Sequence, residues 1–322
     1  MILQIVIFIS SIFVLSWLSS SMIKTLVEIA KYLHIREFII AFFVMGFAAS
    51  LPNLFVDLSA ALQHLHEISF GDIIGGNLVD LTLIMAIVIF FSKDTVYTDS
   101  RMVQGSSVFT FFIAILPIFL IWTGKVTRVD GAILVLAFFL YAWWLFSNDE
   151  RYKKIYHEDN KRSLSPGVKK AIFFKNILKL IILIAILLLA SQGVISSAQY
   201  FSASLGISLS LVGVIIVALG NCFPETYFGI ISGRRGEGWM IVGNMMGSVI
   251  VCATLVLGII GLVSPFEIKD MEPFLLARIF TVIAAMFFLI TIRTGKKLTK
   301  KEAFILLFIY IIFLLAEVFY KL

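Results

Sequence analysis

Two acids stand where a chain this apolar should avoid them. Asp80 lies within VDLTLIMAI and Glu225 within GNCFPETYFGII, and no Lys or Arg sits at a comparable depth in either stretch. A carboxylate at the centre of a membrane helix costs about 2.5–3.5 kcal/mol on insertion scales. Left alone, such an acid must be protonated or must meet a cation, so a cation or proton site is the default reading. Further oxygens gather in the sequence around two prolines. Ser50 and Asn53 flank Pro52, Asn221 and Cys222 precede Pro224, and Ser248 stands in the second copy where Gly76 stands in the first. Each proline also removes a backbone donor and frees a carbonyl one turn earlier. Carboxylates, amides and free carbonyls are hard oxygen ligands, suited to Na⁺ or Ca²⁺. The candidate ligands are therefore Glu225, Asp80, Asn53, Ser50, Ser248 and Asn221.

Plainer readings compete at several positions. Ser50, Thr82 and Thr254 are hydroxyls that commonly bond their own helix backbone or glue helices together. Gly75, Gly76 and Gly247 can serve close helix packing alone. Asp72 and Asn244 fall near the ends of apolar runs, where an interfacial polar residue is ordinary, and Asp57 lies one turn beyond Asn53, in an outer vestibule or facing water. His64 and His66 form an HxH in a short turn and are expected as exposed loop residues rather than a metal site. Trp122, Tyr141, Trp143 and Trp144 read as interfacial belts or packing.

The elements that position these residues follow from composition. Of 322 residues, 60% are hydrophobic and 14% charged, and 31 are Phe. Globular domains carry about 25% charged residues, so a soluble enzyme and a disordered chain are both excluded. A bilayer core needs about 20 apolar residues per helix. That ruler gives ten spans: 3–20, 37–62, 70–92, 104–122, 129–147, 177–198, 207–231, 239–263, 274–292 and 303–320. The runs are continuous rather than alternating, which selects helices over a β-barrel. The first is expected to be a retained helix and not a signal peptide. With the N-terminus outside, 21 Lys and Arg fall on inner connections and 5 on outer ones. This bias predicts that both termini face away from the cytoplasm. It also accounts for the basic balance without nucleic acid. Cys222 and Cys252 both lie in apolar stretches, with no CxxC.

An internal repeat organises the chain. GFAASLPNLFVDLSA matches ALGNCFPETYFGIIS, and FGDIIGGNLVDLTLIMAI matches VGNMMGSVIVCATLVLGI. With Pro52 set on Pro224, an offset of 172, Gly71 meets Gly243, Gly75 meets Gly247 and Thr82 meets Thr254 without a gap. Asn53 then meets Glu225, Asp72 meets Asn244 and Asp80 meets Cys252. Corresponding elements are five spans apart, and an odd number turns the second copy upside down. The expected fold is an all-α polytopic membrane protein of ten helices in two inverted five-helix repeats. Its first half is 1–147 with a repeat at about 42–92. A solvated cytoplasmic linker follows at 148–176, and the second half is 177–322 with a repeat at about 214–262. Inverted-repeat transporters bind their ions near the midplane between the repeats.

The paired small-polar-x-Pro-polar helices, each followed by a G-[DN]-x-x-G-[GS] helix, resemble the cation/Ca²⁺ exchanger superfamily, which includes the Na⁺/Ca²⁺ exchangers. The resemblance is specific over about 42–92 and 214–262. It implies an alternating-access antiporter in which spans two, three, seven and eight hold the ions and spans one and six slide to switch access. In that family an acid follows both prolines. Glu225 keeps it and Asn53 does not. A carboxylate or amide also follows, five residues after the glycine that Gly75 and Gly247 match; Asp80 keeps it and Cys252 does not. The site charge is then −2 if both acids ionise, which balances one Ca²⁺ or two Na⁺. The resemblance thus implies exchange of Ca²⁺ for Na⁺ or H⁺, with no cofactor. The alternative is a monovalent antiporter of the same fold, moving Na⁺ or Li⁺ against H⁺. The partners expected are the transported cations and the lipid bilayer. Membrane-enzyme motifs (HExxH, GxGD, DDxxD) are missing, so no enzyme is expected. The lack of long soluble domains points to a prokaryotic cell membrane.

The orientation has a direct check. A cysteine placed by Ser163→Cys should react with a membrane-impermeant maleimide only from the cytoplasmic side, and one placed by Leu322→Cys only from the outside.

Overall fold

The computed structural model describes residues 1–32, 45–148, 166–236 and 238–321. Apolar runs become helices because a backbone in lipid must satisfy its polar groups internally. They are α1 (Ile2–Tyr32), α2 (Met45–Ala49 and Leu51–Leu62), α3 (His66–Phe91), α4 (Arg101–Leu120), α5 (Arg128–Asn148), α6 (Pro166–Leu205), α7 (Leu209–Arg234), α8 (from Gly238 through Val263), α9 (Leu275–Gly295) and α10 (Lys300–Lys321). Among the described residues, nine of these are long and apolar enough to cross a membrane, and Leu51–Leu62 is the shorter tenth. The part of the second span expected over 37–44 lies outside the described residues, as does most of the linker expected over 148–176.

Two helices run well past the expected spans. Helix α1 has 31 residues and α6 has 40. At 1.5 Å per residue they reach about 47 and 60 Å, against a hydrocarbon core of about 30 Å. Hydropathy marks only the apolar middle of such a helix. Its ends continue through Lys24 in α1 and through Lys175 and Lys179 in α6, and Lys is a good helix former. Helix α6 accordingly starts at Pro166, inside the stretch expected as linker, with proline in the first turn where its missing N–H costs nothing.

The repeat is visible in the packing. Helix α1 lies along α6. Helix α1 also touches α7, and α6 touches α2, which is the same contact in the other copy. Helix α5 packs on α8, and α10 packs on α3. The most hydrophobic windows of α3 and α8 are 83% and 78% buried, against 22% and 17% for α1 and α6. The two helices carrying Asp80 and Ser248 are thus wrapped by protein, while α1 and α6 face outward.

Among the described residues, four short strands tie the ends together: β1 (Val96–Tyr97), β2 (Lys125–Val126), β3 (Phe266–Glu267) and β4 (Lys297–Leu298). Strand β1 pairs antiparallel with β4, and β2 with β3. The 172-residue offset carries β2 onto β4, and it carries the Thr127–Asp130 capping box of α5 onto the Thr299–Glu302 box of α10. In both boxes the threonine N–H and hydroxyl donate to one carboxylate oxygen. Each acid thereby satisfies donors at the start of its helix.

Close approach of backbones depends on glycine at two points. A Cβ on Gly75 would run into the carbonyl oxygen of Val214 in α7. Gly46 of α2 sits against Gly247 of α8, its Cβ position 3.1 Å from the Gly247 Cα. Each site helix therefore packs tightly on the broken helix of the other repeat. Gly76 differs, since a Cβ there meets nothing nearer than 3.9 Å. Gly75→Ala should destabilise the protein by about 1–3 kcal/mol through overpacking, read as a lowered melting temperature, whereas Gly76→Ala should melt like the wild type.

Candidate cation site

The site begins with two interruptions. Helix α2 breaks at Ser50 (φ −81°, ψ −1°) and α7 breaks at Cys222 (φ −80°, ψ 4°), positions equivalent under the repeat. Both helices resume with proline in their first turn, so Pro52 leaves the carbonyl of Ala48 without its helical donor and Pro224 leaves that of Gly220. The hydroxyl of Ser19, from α1, lies 3.5 Å from the Ala48 oxygen. Facing these breaks, α3 and α8 widen into π-helical turns at Asp80–Ile84 and Val251–Val256. Such turns are frequent at functional sites. Here they begin at Asp80 and just before Cys252, again equivalent positions.

Ser248 is the hub of the centre. Its hydroxyl donates to Glu225 Oε1 at 3.3 Å, and Ser50 Oγ approaches it at 3.3 Å. Asp80 is a neighbour of Ser248 and of the Cys222 thiol. Asn53 turns its Nδ2 to the Cys252 sulfur at 3.5 Å. Five of the six expected ligands, Glu225, Asp80, Asn53, Ser50 and Ser248, thus surround the breaks. All are buried, and Glu225 is fully inaccessible. The sixth, Asn221, is directed elsewhere: its Nδ2 donates to Asp72 Oδ2 at 2.5 Å.

Electrostatics set what this arrangement can hold. Glu225 Oε2, Asp80 Oδ1 and Asn53 Oδ1 are buried and accept no hydrogen bond. Among the described residues Arg278 is the one buried basic side chain, and it is spent elsewhere. Its guanidinium donates to the Ile118 carbonyl at 2.9 Å and lies over the Trp122 ring. The described residues contain no cluster of three or more His, Cys, Asp or Glu side chains able to hold a metal ion. A cation at the centre would be held by two carboxylates supplemented by amide, hydroxyl and backbone oxygens, as suits Na⁺ or Ca²⁺.

Several residues sit differently from their expected places. Asp72 and Asn244, expected as ordinary interfacial residues, are buried. Helix α3 starts at His66 and the Asp72 turn packs on the Ser210–Val214 stretch of α7, so position near the end of an apolar run does not mean contact with water. Asp57 is also fully buried rather than in a vestibule. Thr82 and Thr254 each bond the carbonyl four residues back at 2.5 Å, the structural role expected for them. His64 is exposed in a left-handed turn (φ 61°), and His66 stacks flat on Phe266. Asn77 escaped the sequence reading. It is buried with both amide atoms unpartnered, and its place beside Gly75-Gly76 was the signal available.

Comparison with known proteins agrees with the duplicated plan. The profile of the family described as "Sodium/calcium exchanger protein" matches residues 3–147 and again 175–319. The sodium/calcium exchanger MaX1 of Methanosarcina acetivorans is 24% identical over 328 residues, covering 92% of this chain and 93% of its own. The inner membrane protein YrbG of Escherichia coli is 25% identical over 244 residues, covering 74% and 73%. A solved structure of the sodium-calcium exchanger NCX_Mj, soaked with Na⁺ and Sr²⁺, superposes with a TM-score of 0.66 at 22% identity over 97% of each chain, which establishes the fold.

The unpaired acids make a prediction for the ion-free protein. In buffer without Na⁺ or Ca²⁺, Glu225→Gln and Asp80→Asn should melt at or above the wild-type temperature. Each removes a buried, uncompensated charge or the need to protonate it.

Proposed function

The chain belongs to the sodium/calcium exchanger protein family, and from that premise we propose that it is a secondary antiporter exchanging Ca²⁺ for Na⁺ or H⁺ at the site between the two breaks. One observation carries the reading: Glu225 and Asp80 each present a buried, unpartnered oxygen beside Ser248, with no basic side chain among the described residues to neutralise them. The missing positive charge is the cargo.

In this reading Glu225 and Asp80 supply the charge and Asn53, Ser50 and Ser248 supply neutral oxygens. Two ionised acids balance one Ca²⁺ or two Na⁺. Ser248 hydrogen-bonds both repeats, so it can follow the charge as ions change. Asn221, held on Asp72, stands at the rim of this centre. Helices α1 and α6 pack against each other and against α7 and α2, and their outward faces leave them free to slide as a pair past the wrapped helices α3 and α8. That movement opens the centre to one side at a time. Both termini lie outside and the membrane is that of a prokaryotic cell.

A second reading has its own observation. Asn53 and Cys252 occupy two of the four central positions and bond each other at 3.5 Å instead of presenting charge. A centre with less charge suits exchange of Na⁺ or Li⁺ against H⁺.

Proteoliposomes separate the two. Radioactive Ca²⁺ uptake driven by an imposed Na⁺ or pH gradient is expected in the wild type. It should fall to the rate of protein-free liposomes in Glu225→Gln and in Asp80→Asn. Wild-type uptake persisting in both variants rejects the site assignment. Sodium uptake that excess Ca²⁺ leaves unchanged selects the monovalent reading.

A further inference from the structure

Beside the β1–β4 pair lies a cavity that the centre does not use. It measures about 620 Å³ and sits between the end of α3 and the start of α10. Residues 92–95 wall it on one side and residues 297–302 on the other, and Ile89 and the buried Leu298 supply its apolar part. Ile89 follows Asp80 by nine residues, about 14 Å along α3. Four lysines line the cavity, Lys93, Lys297, Lys300 and Lys301, and all are exposed. Two acids share the lining, Asp94 and Glu302. Glu302 is engaged by the N–H and hydroxyl of Thr299 at the start of α10. Among the described residues none of the four lysines lies in an ion pair. The pair that does form, Lys125 with Glu267 at 3.3 Å, belongs to the β2–β3 strands. Four ammonium groups against two carboxylates leave the cavity a surplus of two positive charges.

The internal repeat supplies a control for this charge. The 172-residue offset sets Lys297 on Lys125, Lys300 on Arg128 and Glu302 on Asp130, but Lys301 on Val129 and Lys93 on Pro265. A strand pair and a capping box recur there. Lys125 and Arg128 then face Glu267 and Asp130, with no surplus. The shared architecture therefore forms without the extra lysines. A bias of basic residues toward the inner side accounts for the side on which they lie. It does not account for their gathering around a cavity.

The surface beneath the lysines selects the ligand. On α10, Phe304 follows Lys300 by one turn and Phe308 follows by a second, so the three share a face. Both rings are exposed, at 64% and 61%, which in a membrane-spanning helix means that they meet lipid. Phe90 of α3 packs edge-on against Phe304, with ring centroids 4.8 Å apart. A soluble phosphate would meet only the lysines, whereas a phospholipid meets both parts of this face. We propose that the cavity binds an anionic phospholipid, its headgroup phosphate among Lys93, Lys297, Lys300 and Lys301 and an acyl chain along Phe304 and Phe308. Basic pockets between membrane helices take such headgroups. The lipid joins the end of α3, the helix that carries Asp80, to the start of α10. The proposal is independent of which ions are exchanged.

Melting of the intact purified protein in detergent tests it, because a ligand that binds only the folded state raises the melting temperature. Phosphatidylglycerol is titrated in parallel with phosphatidylcholine of the same acyl chains and with glycerol 3-phosphate. Three proteins are compared. They are the wild type, a cavity variant (Lys93→Gln, Lys297→Gln, Lys300→Gln, Lys301→Gln), and a control variant (Lys24→Gln, Arg101→Gln, Lys175→Gln, Lys179→Gln) that loses the same charge from other exposed positions. Phosphatidylglycerol should raise the melting temperature of the wild type and the control variant above the value in phosphatidylcholine. At about fivefold in affinity per lysine, the cavity variant should lose that excess over the range that saturates the wild type. Should the cavity variant not fold, Lys300→Gln with Lys301→Gln should move the midpoint of the titration about 25-fold. An excess that survives in the cavity variant overturns the site. An excess lost equally in the control variant overturns it too, as attraction spread over the whole basic surface. A wild type that melts alike in both lipids overturns any preference for an anionic headgroup. Glycerol 3-phosphate matching phosphatidylglycerol at equal concentration overturns the lipid and leaves a site for a free phosphate.

Discussion

Carboxyl groups in the interior of an apolar bundle cost several kcal/mol each when nothing positive offsets them. Here Asp57, Asp72, Asp80 and Glu225 are all buried, and the one buried basic side chain among the described residues, Arg278, is bound to a carbonyl elsewhere. The fold is arranged around that imbalance. The helix breaks at Ser50 and Cys222, each followed by a proline, release the carbonyls of Ala48 and Gly220 from their helical donors. The tight contacts at Gly75 and Gly46 draw the four site helices close enough for the two repeats to share hydroxyls. The π-helical turns present Asp80 and Cys252 toward the other repeat. Each feature weakens a helix by itself, and together they gather buried oxygens with no positive group among the described residues to answer them.

The two repeats share this architecture without sharing their charges. Asn53 holds in the first repeat the position that Glu225 holds in the second, and Cys252 holds in the second the position of Asp80, so each repeat contributes one acid to the centre. The neutral members bond each other across the interface through Asn53 Nδ2 and the Cys252 sulfur, which leaves Asn53 Oδ1 buried and unpartnered. A symmetric scaffold thus carries an asymmetric site. In the proposed exchanger this asymmetry sets both the total charge and the number of oxygens offered to the cargo.

Much of this was legible in the residues. One proline and two glycines at identical spacing in each copy reveal the repeat even in a greasy chain, where coincidence of apolar residues alone would mean little. Asp80 and Glu225 announce themselves by depth. Asp72, Asn244 and Asp57 did not, because hydropathy reports distance along a helix and says nothing of what wraps it. Helix α3 is covered along most of its length, so a residue near its start is as dry as one at its middle. The extra length of α1 and α6 was hidden for the opposite reason: their charged ends look like loops to any count of apolar residues. The swing of Asn221 toward Asp72 depends on a side-chain direction that spacing alone does not give.

The strand pairs carry a historical consequence. Strands β1 and β2 belong to the first half of the chain, β3 and β4 to the second, and every pairing crosses between halves. A single half has two strands that cannot pair with each other, since they emerge on opposite faces of the membrane. It is completed only by another copy inserted the other way up. An ancestor before duplication would have had to insert in both orientations and assemble as antiparallel twins. Fusion into one chain fixes that arrangement and leaves the two copies free to differ, as Asn53 differs from Glu225 and Cys252 from Asp80.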